Sequence, residues 1–162
     1  MCIRDRVAGA IGCADARMAP VLAEVLAARG NRALVFRGDD GLDELTTGTT
    51  SAVWVVRDGE VLAERLDPAA LGISPPGPDA LRGGDPEHNA AVFRAVVKGE
   101  RGPVRDAVLL NAAAALAAFD PRGGRLHEVL ADGLARAAAA VDDGRAAAKL
   151  DDWVRVSQGV AR

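Results

Sequence analysis

The segment Arg32-Ala-Leu-Val-Phe36 is a short apolar run, and it leads directly into Arg37-Gly-Asp-Asp-Gly-Leu-Asp-Glu-Leu-Thr-Thr-Gly-Thr-Thr50. The run has the length and composition of a buried strand. The turn that follows carries four carboxylates within six residues: Asp39, Asp40, Asp43 and Glu44. Open α/β sheets bind their ligands in the crevice beyond the carboxyl ends of the strands. We therefore expect the chemistry of this protein at the turn after Phe36.

The segments before Arg32 extend this strand into a βαβ unit. Val7 to Gly12 has the pattern of a short strand, and a helix capped by Asp15 follows and ends at Arg29-Gly30. A connection of this kind joins two parallel strands. The helical periodicity predicts that its buried face consists of Met18, Val21, Leu22, Val25 and Leu26.

The segments after Thr50 predict an antiparallel hairpin and several helices. Asp58-Gly59 lies between the apolar runs 51–56 and 60–64, and this dipeptide favours a tight hairpin turn. Helices are predicted to begin at Asp85, Gly102, Arg125 and Gly144, and the last two carry apolar stripes that include Leu150, Trp153 and Val154. Asn111 lies among the apolar positions of its helix, so we expect its amide to bond a neighbouring backbone.

Composition limits the classes of function. The chain has 162 residues, a formal net charge of −3, 3% aromatic residues and no Tyr. An acidic chain without a Lys/Arg cluster or stacking aromatics is not typical of nucleic-acid binding. No apolar run is long enough to cross a membrane, which argues against a membrane partner. Two cysteines, Cys2 and Cys13, fit neither a disulfide framework nor a zinc site, so the prediction is a cytoplasmic protein.

The first six residues, Met1 to Arg6, fit no predicted element. We interpret them as a non-native N-terminal extension, and we assign residues 7–162 to one folded unit.

Two interpretations of the acidic turn remain open on the residues alone. It is either a solvated turn that caps a helix starting at Leu42, or a magnesium site. Crowded like charges are costly unless a cation relieves them. Mg²⁺ typically takes one or two protein carboxylates, keeps several waters and completes its shell with phosphate oxygens. The adjacent pair Asp43 and Glu44, at a predicted strand-to-helix junction, suits that role.

Four motifs along the chain together resemble the C-terminal half of the anthranilate phosphoribosyltransferase family. They are Gly38-Asp-Asp-Gly-Leu-Asp-Glu-Leu-Thr-Thr47, Leu81-Arg-Gly-Gly-Asp85 with Asn89-Ala90, Gly102-Pro-Val-Arg-Asp-Ala-Val-Leu-Leu-Asn-Ala-Ala113 and Lys149-Leu-Asp-Asp-Trp-Val154. The resemblance implies an α/β fold: a partial nucleoside-phosphorylase/phosphoribosyltransferase-like sheet, built from the βαβ unit and the hairpin and packed with several helices.

The resemblance also implies an activity. In this family the amine of anthranilate displaces pyrophosphate from phosphoribosyl pyrophosphate, a step of tryptophan biosynthesis. The pair that matches Asp43 and Glu44 holds Mg²⁺ against the diphosphate. The family usually has His where this chain has Arg37, a cation that could approach an anionic ligand or pair with Asp39 or Asp40. We assign Arg37 no role at this stage, and no residue of the chain is identified as catalytic.

The chain departs from the family in one larger respect. It has no glycine-rich phosphate loop of the GTGGD type, since Gly83-Gly84-Asp85 belongs to a later motif. We therefore expect a truncated fragment that is inactive alone. The family's homodimer is not expected for it. Two alternatives are a fragment of a pyrimidine-nucleoside phosphorylase-like enzyme and a non-catalytic α/β binding module.

Overall fold

A computed structural model describes residues 8–120 and 122–160, so the extension predicted at residues 1–6 lies outside the described residues. In this part of the chain four strands form one mixed sheet in the order β1-β2-β3-β4. β1 and β2 are parallel, and the other two neighbouring pairs are antiparallel. The strands are β1 (Ala8–Gly12), β2 (Arg32–Gly38), β3 (Ser51–Arg57) and β4 (Glu60–Leu66). The predicted α/β class, with a βαβ unit and a hairpin, is confirmed.

The same described residues form five helices, of which three contact the sheet and two pack on other helices. They are α1 (Met18–Ala28), α2 (Pro86–Val97), α3 (Pro103–Phe119), α4 (Leu126–Asp142) and α5 (Arg145–Val160). A single 3₁₀ turn at Pro68–Leu71 follows β4. None of the helices in the described ranges combines the length and the hydropathy that a membrane crossing requires.

The sheet buries a different set of side chains on each face, because successive residues of a strand point to opposite sides. Leu34 and Phe36 of β2 pack in the cluster that contains Leu110 of α3. Ala33 and Val35 pack in the cluster that contains the buried alanines of α1. β2 is therefore covered on both sides, which explains its continuous apolar sequence.

The hairpin between β3 and β4 has the turn that the sequence predicts. Arg57 and Glu60 face each other across the two strands, and Asp58 and Gly59 have φ values of 53° and 80°. Positive φ at both central residues is the type I′ pattern, whose twist matches that of the strands. The prediction of an antiparallel hairpin at Asp58-Gly59 is confirmed.

Only Leu22 and Leu26 of the face predicted for α1 pack against the core. Ala19, Ala23 and Ala27 are its buried residues, whereas Met18 and Val21 are 51% and 50% exposed. Small side chains at spacings of four residues let the helix approach the sheet closely, and this packing takes precedence over the larger residues on the adjacent face. Met18, Val21 and Val25 consequently remain at the surface, while Leu22 and Leu26 are half-buried against the core.

α5 also differs from the predicted stripe. Trp153 is 70% exposed and Val154 is 44% exposed, while Leu150 is half-buried. The helix is present where the pattern predicts it, but most of its apolar face lies open to solvent.

Close contact between α3 and α4 holds the helical layer together. A Cβ added at Gly133 of α4 would lie 2.7 Å from the carbonyl oxygen of Ala113 on α3. The buried Arg105 of α3 pairs through Nη2 with Asp142 Oδ1 of α4 at 2.8 Å. α3 is thereby fixed against α4 at two points, and its other side is presented to the sheet and to the turn after β2.

Candidate functional site

The segment 39–50, which we call the acidic loop, connects β2 to β3. No helix begins at Leu42 in the described residues, so the predicted strand-to-helix junction is wrong. β2 and β3 are antiparallel neighbours, and such strands need only a loop between them. The carboxyl ends of the parallel strands β1 and β2 meet at this edge of the sheet, beside the acidic loop.

Two of the four carboxylates are used to build the loop itself. Asp39 accepts a hydrogen bond from the Thr50 hydroxyl and pairs with Arg65 of β4. Asp40 accepts from the backbone N–H of Leu42 at 3.2 Å. These contacts close the loop at its base and at its first turn, and they engage both carboxylates with protein partners.

The other two carboxylates, Asp43 and Glu44, are exposed. Within the described part of the chain neither accepts a hydrogen bond nor forms an ion pair. Their oxygens are therefore available to a ligand at the carboxyl edge of β1 and β2. No group of three or more His, Cys, Asp or Glu residues in the described ranges is arranged to hold a metal ion, so the pair offers at most part of a coordination shell.

The backbone of Asp43 is held against the end of β1. A Cβ added at Gly12 would lie 1.5 Å from the Asp43 carbonyl oxygen and 2.4 Å from its carbonyl carbon. Only glycine fits at such a distance, because real side chains do not approach backbone atoms so closely. The sequence analysis did not identify Gly12, although a glycine at the end of a predicted strand is a signal of close backbone approach.

Asn111 of α3 holds the next part of the loop. The Leu45 N–H donates to Asn111 Oδ1 at 3.0 Å, and Asn111 Nδ2 donates to the Leu45 carbonyl at 3.0 Å. The amide thus satisfies both backbone groups of a residue that is 1% exposed. The prediction that Asn111 bonds a neighbouring backbone is confirmed, and its partner is the residue directly after Glu44.

Arg37 makes neither of the ion pairs considered from the sequence. Its Nε donates to the carbonyl of Ala14 at 2.8 Å, and its Nη1 donates to the carbonyl of Gly38 at 3.2 Å. The pairing of Asp39 goes instead to Arg65. Arg65 could have been found from the hairpin register, which aligns Arg37, Ala52 and Arg65 in one row across the sheet.

Leu45, Thr46 and Thr47 of the loop are buried, whereas Gly48 and Thr49 are exposed. The Ser51 hydroxyl accepts from the Thr46 N–H at 3.2 Å, and Thr46 Oγ1 accepts from the Gly48 N–H at 3.0 Å. Thr47 is 1% exposed, and its hydroxyl has no hydrogen-bond partner within the described residues. These residues anchor the loop to β3.

The connection between β1 and α1 adds one ionised group to the same edge of the sheet. Hydrogen bonds from Arg17 lower the pKa of the Asp15 carboxyl, which stays charged at neutral pH. This edge of the sheet therefore presents carboxylates to solvent. Arg37 lies between the connection from β1 to α1 and the acidic loop.

The geometry defines an α/β domain with a candidate cation site at the carboxyl edge of its parallel strands. The chain belongs to the glycosyl transferase family, a/b domain, whose match covers residues 5–147. This agrees with the resemblance found in the sequence motifs. The boundary drawn at residue 7 remains a prediction.

Curated relatives share most of the chain. It is 64% identical over 152 residues to the anthranilate phosphoribosyltransferase of Acidothermus cellulolyticus, covering 93% of this chain and 43% of that protein. It is 61% identical over 155 residues to the enzyme of the same name from Thermobifida fusca, covering 96% and 44%. The chain thus spans less than half the length of these relatives.

Solved structures share the fold. The crystal structure of anthranilate phosphoribosyltransferase from Thermus thermophilus is 34% identical with a TM-score of 0.75, over 89% of this chain and 41% of that one. The enzyme from Saccharomyces cerevisiae, solved in complex with PRPP and Mg, is 21% identical with a TM-score of 0.76, over 90% and 41%. At that identity the yeast structure supports the fold alone.

Proposed function

We propose that this chain forms part of an anthranilate phosphoribosyltransferase, which transfers phosphoribosyl from phosphoribosyl pyrophosphate to anthranilate and releases pyrophosphate. The observation that carries the proposal is the free, exposed pair Asp43 and Glu44 at the carboxyl edge of β1 and β2. The names of the relatives support anthranilate and a phosphoribosyl donor as substrates. We assign the reaction to tryptophan biosynthesis and keep the sequence-based prediction of a cytoplasmic protein.

The donor set of the pair fits Mg²⁺. Two carboxylates without protein partners match the one or two that Mg²⁺ usually takes beside waters and substrate phosphates. Bound Mg²⁺ would neutralise charge that develops on the departing diphosphate. Asp43 and Glu44 would hold that ion at the edge of the sheet. Gly12 lies against the backbone of Asp43, and Asn111 bonds the backbone of Leu45.

The two alternative functions have less support. The curated relatives described above carry the name of the anthranilate enzyme and not of a pyrimidine-nucleoside phosphorylase. The family whose model matches residues 5–147 is a glycosyl transferase family, which favours part of an enzyme over a non-catalytic module.

We expect the 162-residue chain alone to give no measurable product with Mg²⁺, phosphoribosyl pyrophosphate and anthranilate. Its described residues supply two metal ligands and no catalytic group, while the relatives that share its sequence are more than twice as long.

A chimera tests the activity. In it this chain replaces the matching segment of the Acidothermus cellulolyticus relative, to which it is 64% identical. We expect the chimera to form phosphoribosylanthranilate, measured by the loss of anthranilate fluorescence. The double change Asp43→Asn with Glu44→Gln should lower the rate about 100-fold or more, because charge stabilisation of the leaving group is lost.

The control is Asp151→Asn with Asp152→Asn. These two acids are adjacent in sequence and lie on the exposed surface of α5. This control should leave the rate of the chimera unchanged. Equal rates for the two double variants would refute the assignment of Asp43 and Glu44. Product from thymidine and phosphate, with none from anthranilate, would support the phosphorylase alternative instead.

A further inference from the structure

We propose that Arg37 is a positioning residue: its side chain straps the end of β2 to the connection between β1 and α1, and so helps to fix where the acidic loop presents Asp43 and Glu44. The inference rests on the proposed cation-binding role of that pair.

The contacts of Arg37 join two separate segments. Arg37 lies near the end of β2, and its Nε reaches the carbonyl of Ala14, 23 residues earlier, in the connection after β1. Its Nη1 donates to the carbonyl of the next residue, Gly38, the last residue of β2 before the acidic loop. A Cβ added at Gly41 would lie 3.4 Å from Nη2, so the guanidinium also packs against the tip of that turn.

The turn after β2 needs contacts with other segments to keep one conformation. It contains Gly38 and Gly41, the latter with φ of 96°, and glycine-rich turns have many accessible conformations. Asp39 ties its base to Thr50 and Arg65, but the bonds around its tip are short-range, such as the bond from the Gly38 N–H to the Leu42 carbonyl at 2.9 Å. Asn111 fixes the backbone directly after Glu44, and the Arg37 guanidinium packs against the backbone at Gly41, two residues before Asp43. The acidic pair thus lies between two anchors.

The charge of Arg37 and its geometry act in opposite directions on a bound cation. A guanidinium near two carboxylates repels a divalent cation, so removal of the charge alone would tighten cation binding. Loss of the strap would weaken it, because Asp43 and Glu44 would no longer be held together. The direction of the change in affinity therefore separates the two roles.

Lysine provides a second distinction. The two bonds leave Arg37 from different nitrogens of a rigid planar group, whereas lysine offers one ammonium. Arg37→Lys keeps the positive charge but cannot make both hydrogen bonds. If geometry matters, Arg37→Lys behaves like Arg37→Met; if only charge matters, it behaves like the unchanged protein.

The experiment uses the full 162-residue chain and Mn²⁺ alone as the probe. Paramagnetic broadening of backbone amide signals at Asp43 and Glu44 gives the affinity for Mn²⁺, and thermal unfolding confirms that each variant is folded. We expect Arg37→Met and Arg37→Lys to weaken Mn²⁺ binding about 10-fold, the size found for residues that orient metal ligands. The control Arg17→Met removes a cation whose side chain contacts Asp15, and it should not weaken binding.

Each outcome decides a different point. Tighter or unchanged binding in Arg37→Met, or wild-type binding in Arg37→Lys, overturns the strap. Absence of broadening at Asp43 and Glu44 in the unchanged chain overturns the proposed metal site. In that case hydrogen exchange of the Gly38 amide still tests the strap: we expect exchange about 10-fold faster in Arg37→Met, since exchange reports local opening. Unchanged exchange would overturn it.

Discussion

Gly12 ends β1 at a point where the backbone of Asp43 occupies the space of a side chain. The distance of 1.5 Å between an added Cβ and the Asp43 carbonyl oxygen is far below any real contact. The neighbouring atoms are backbone, so they cannot move aside as a flexible side chain would. The position of Asp43 and Glu44 at the edge of the sheet thus depends on the absence of a side chain at Gly12.

We predict that Gly12→Ala lowers the free energy of unfolding by about 1–3 kcal/mol, the usual cost of an added carbon in a packed site. Urea unfolding measures this change. The same variant should also weaken Mn²⁺ binding, because the backbone of Asp43 must shift to make room.

Gly9→Ala is the matched control in the same strand. An added Cβ there meets Ile11 Cδ1 at 3.5 Å, an ordinary van der Waals contact, so we expect little change or a small gain in stability. If Gly12→Ala were as stable as Gly9→Ala, the close approach of Asp43 to β1 would not exist in solution.

At the scale of elements, one amide joins α3 to the acidic loop. Asn111 and Leu45 are 66 residues apart, and two hydrogen bonds of 3.0 Å connect them. Because Leu45 is buried, water cannot replace those bonds when the amide is removed. The helix therefore determines where the loop lies.

Asn111→Leu should lower the free energy of unfolding by about 1–3 kcal/mol, the cost of leaving buried backbone groups without partners. Asn89→Leu is the control, since Asn89 makes the same kind of paired bonds to Gly84 at an exposed position. There water can take the place of the side chain, and the loss should be smaller. Equal losses in urea unfolding would contradict the argument from burial.

The sequence predicted elements well where local rules dominate. The hairpin at Asp58-Gly59 follows from turn chemistry, and the need of Asn111 for a backbone partner follows from its apolar surroundings. The identity of that partner could not be predicted, because it depends on how α3 crosses the sheet. The helix expected at Leu42 is absent from the described residues, since the antiparallel pairing of β2 and β3 leaves no need for it.

The buried face of α1 also shows a limit of prediction from sequence, and here the cause is packing. Periodicity favoured the large residues Met18 and Val21, yet the alanine face is the one that contacts the sheet. Pattern alone does not reveal how close two elements come, and closeness selects the smaller side chains. For the site, the sequence identified the acidic pair as candidates, but Gly12 and the contacts of Arg37 required three-dimensional structure.

At the scale of the whole molecule, large apolar side chains remain exposed on two sides. One side is the outer face of α1, next to β1, which pairs with β2 alone in the described residues. The other is a groove of about 980 Å³ between the helices α2, α3, α4 and α5, and Trp153 lines it. Such surfaces favour contact with other molecules over exposure to water.

We predict that the 162-residue chain associates through these surfaces into species of mixed size, without a family-type homodimer. Static light scattering across a concentration series measures this association. Trp153→Glu should reduce it strongly, because a charge would enter the apolar groove. Phe119→Glu should reduce it less, since Phe119 is 63% exposed but lies beside the charged residues Asp120, Arg122 and Asp132, outside the groove. A single dimeric mass at every concentration, unaffected by Trp153→Glu, would show that a defined interface exists elsewhere on the molecule.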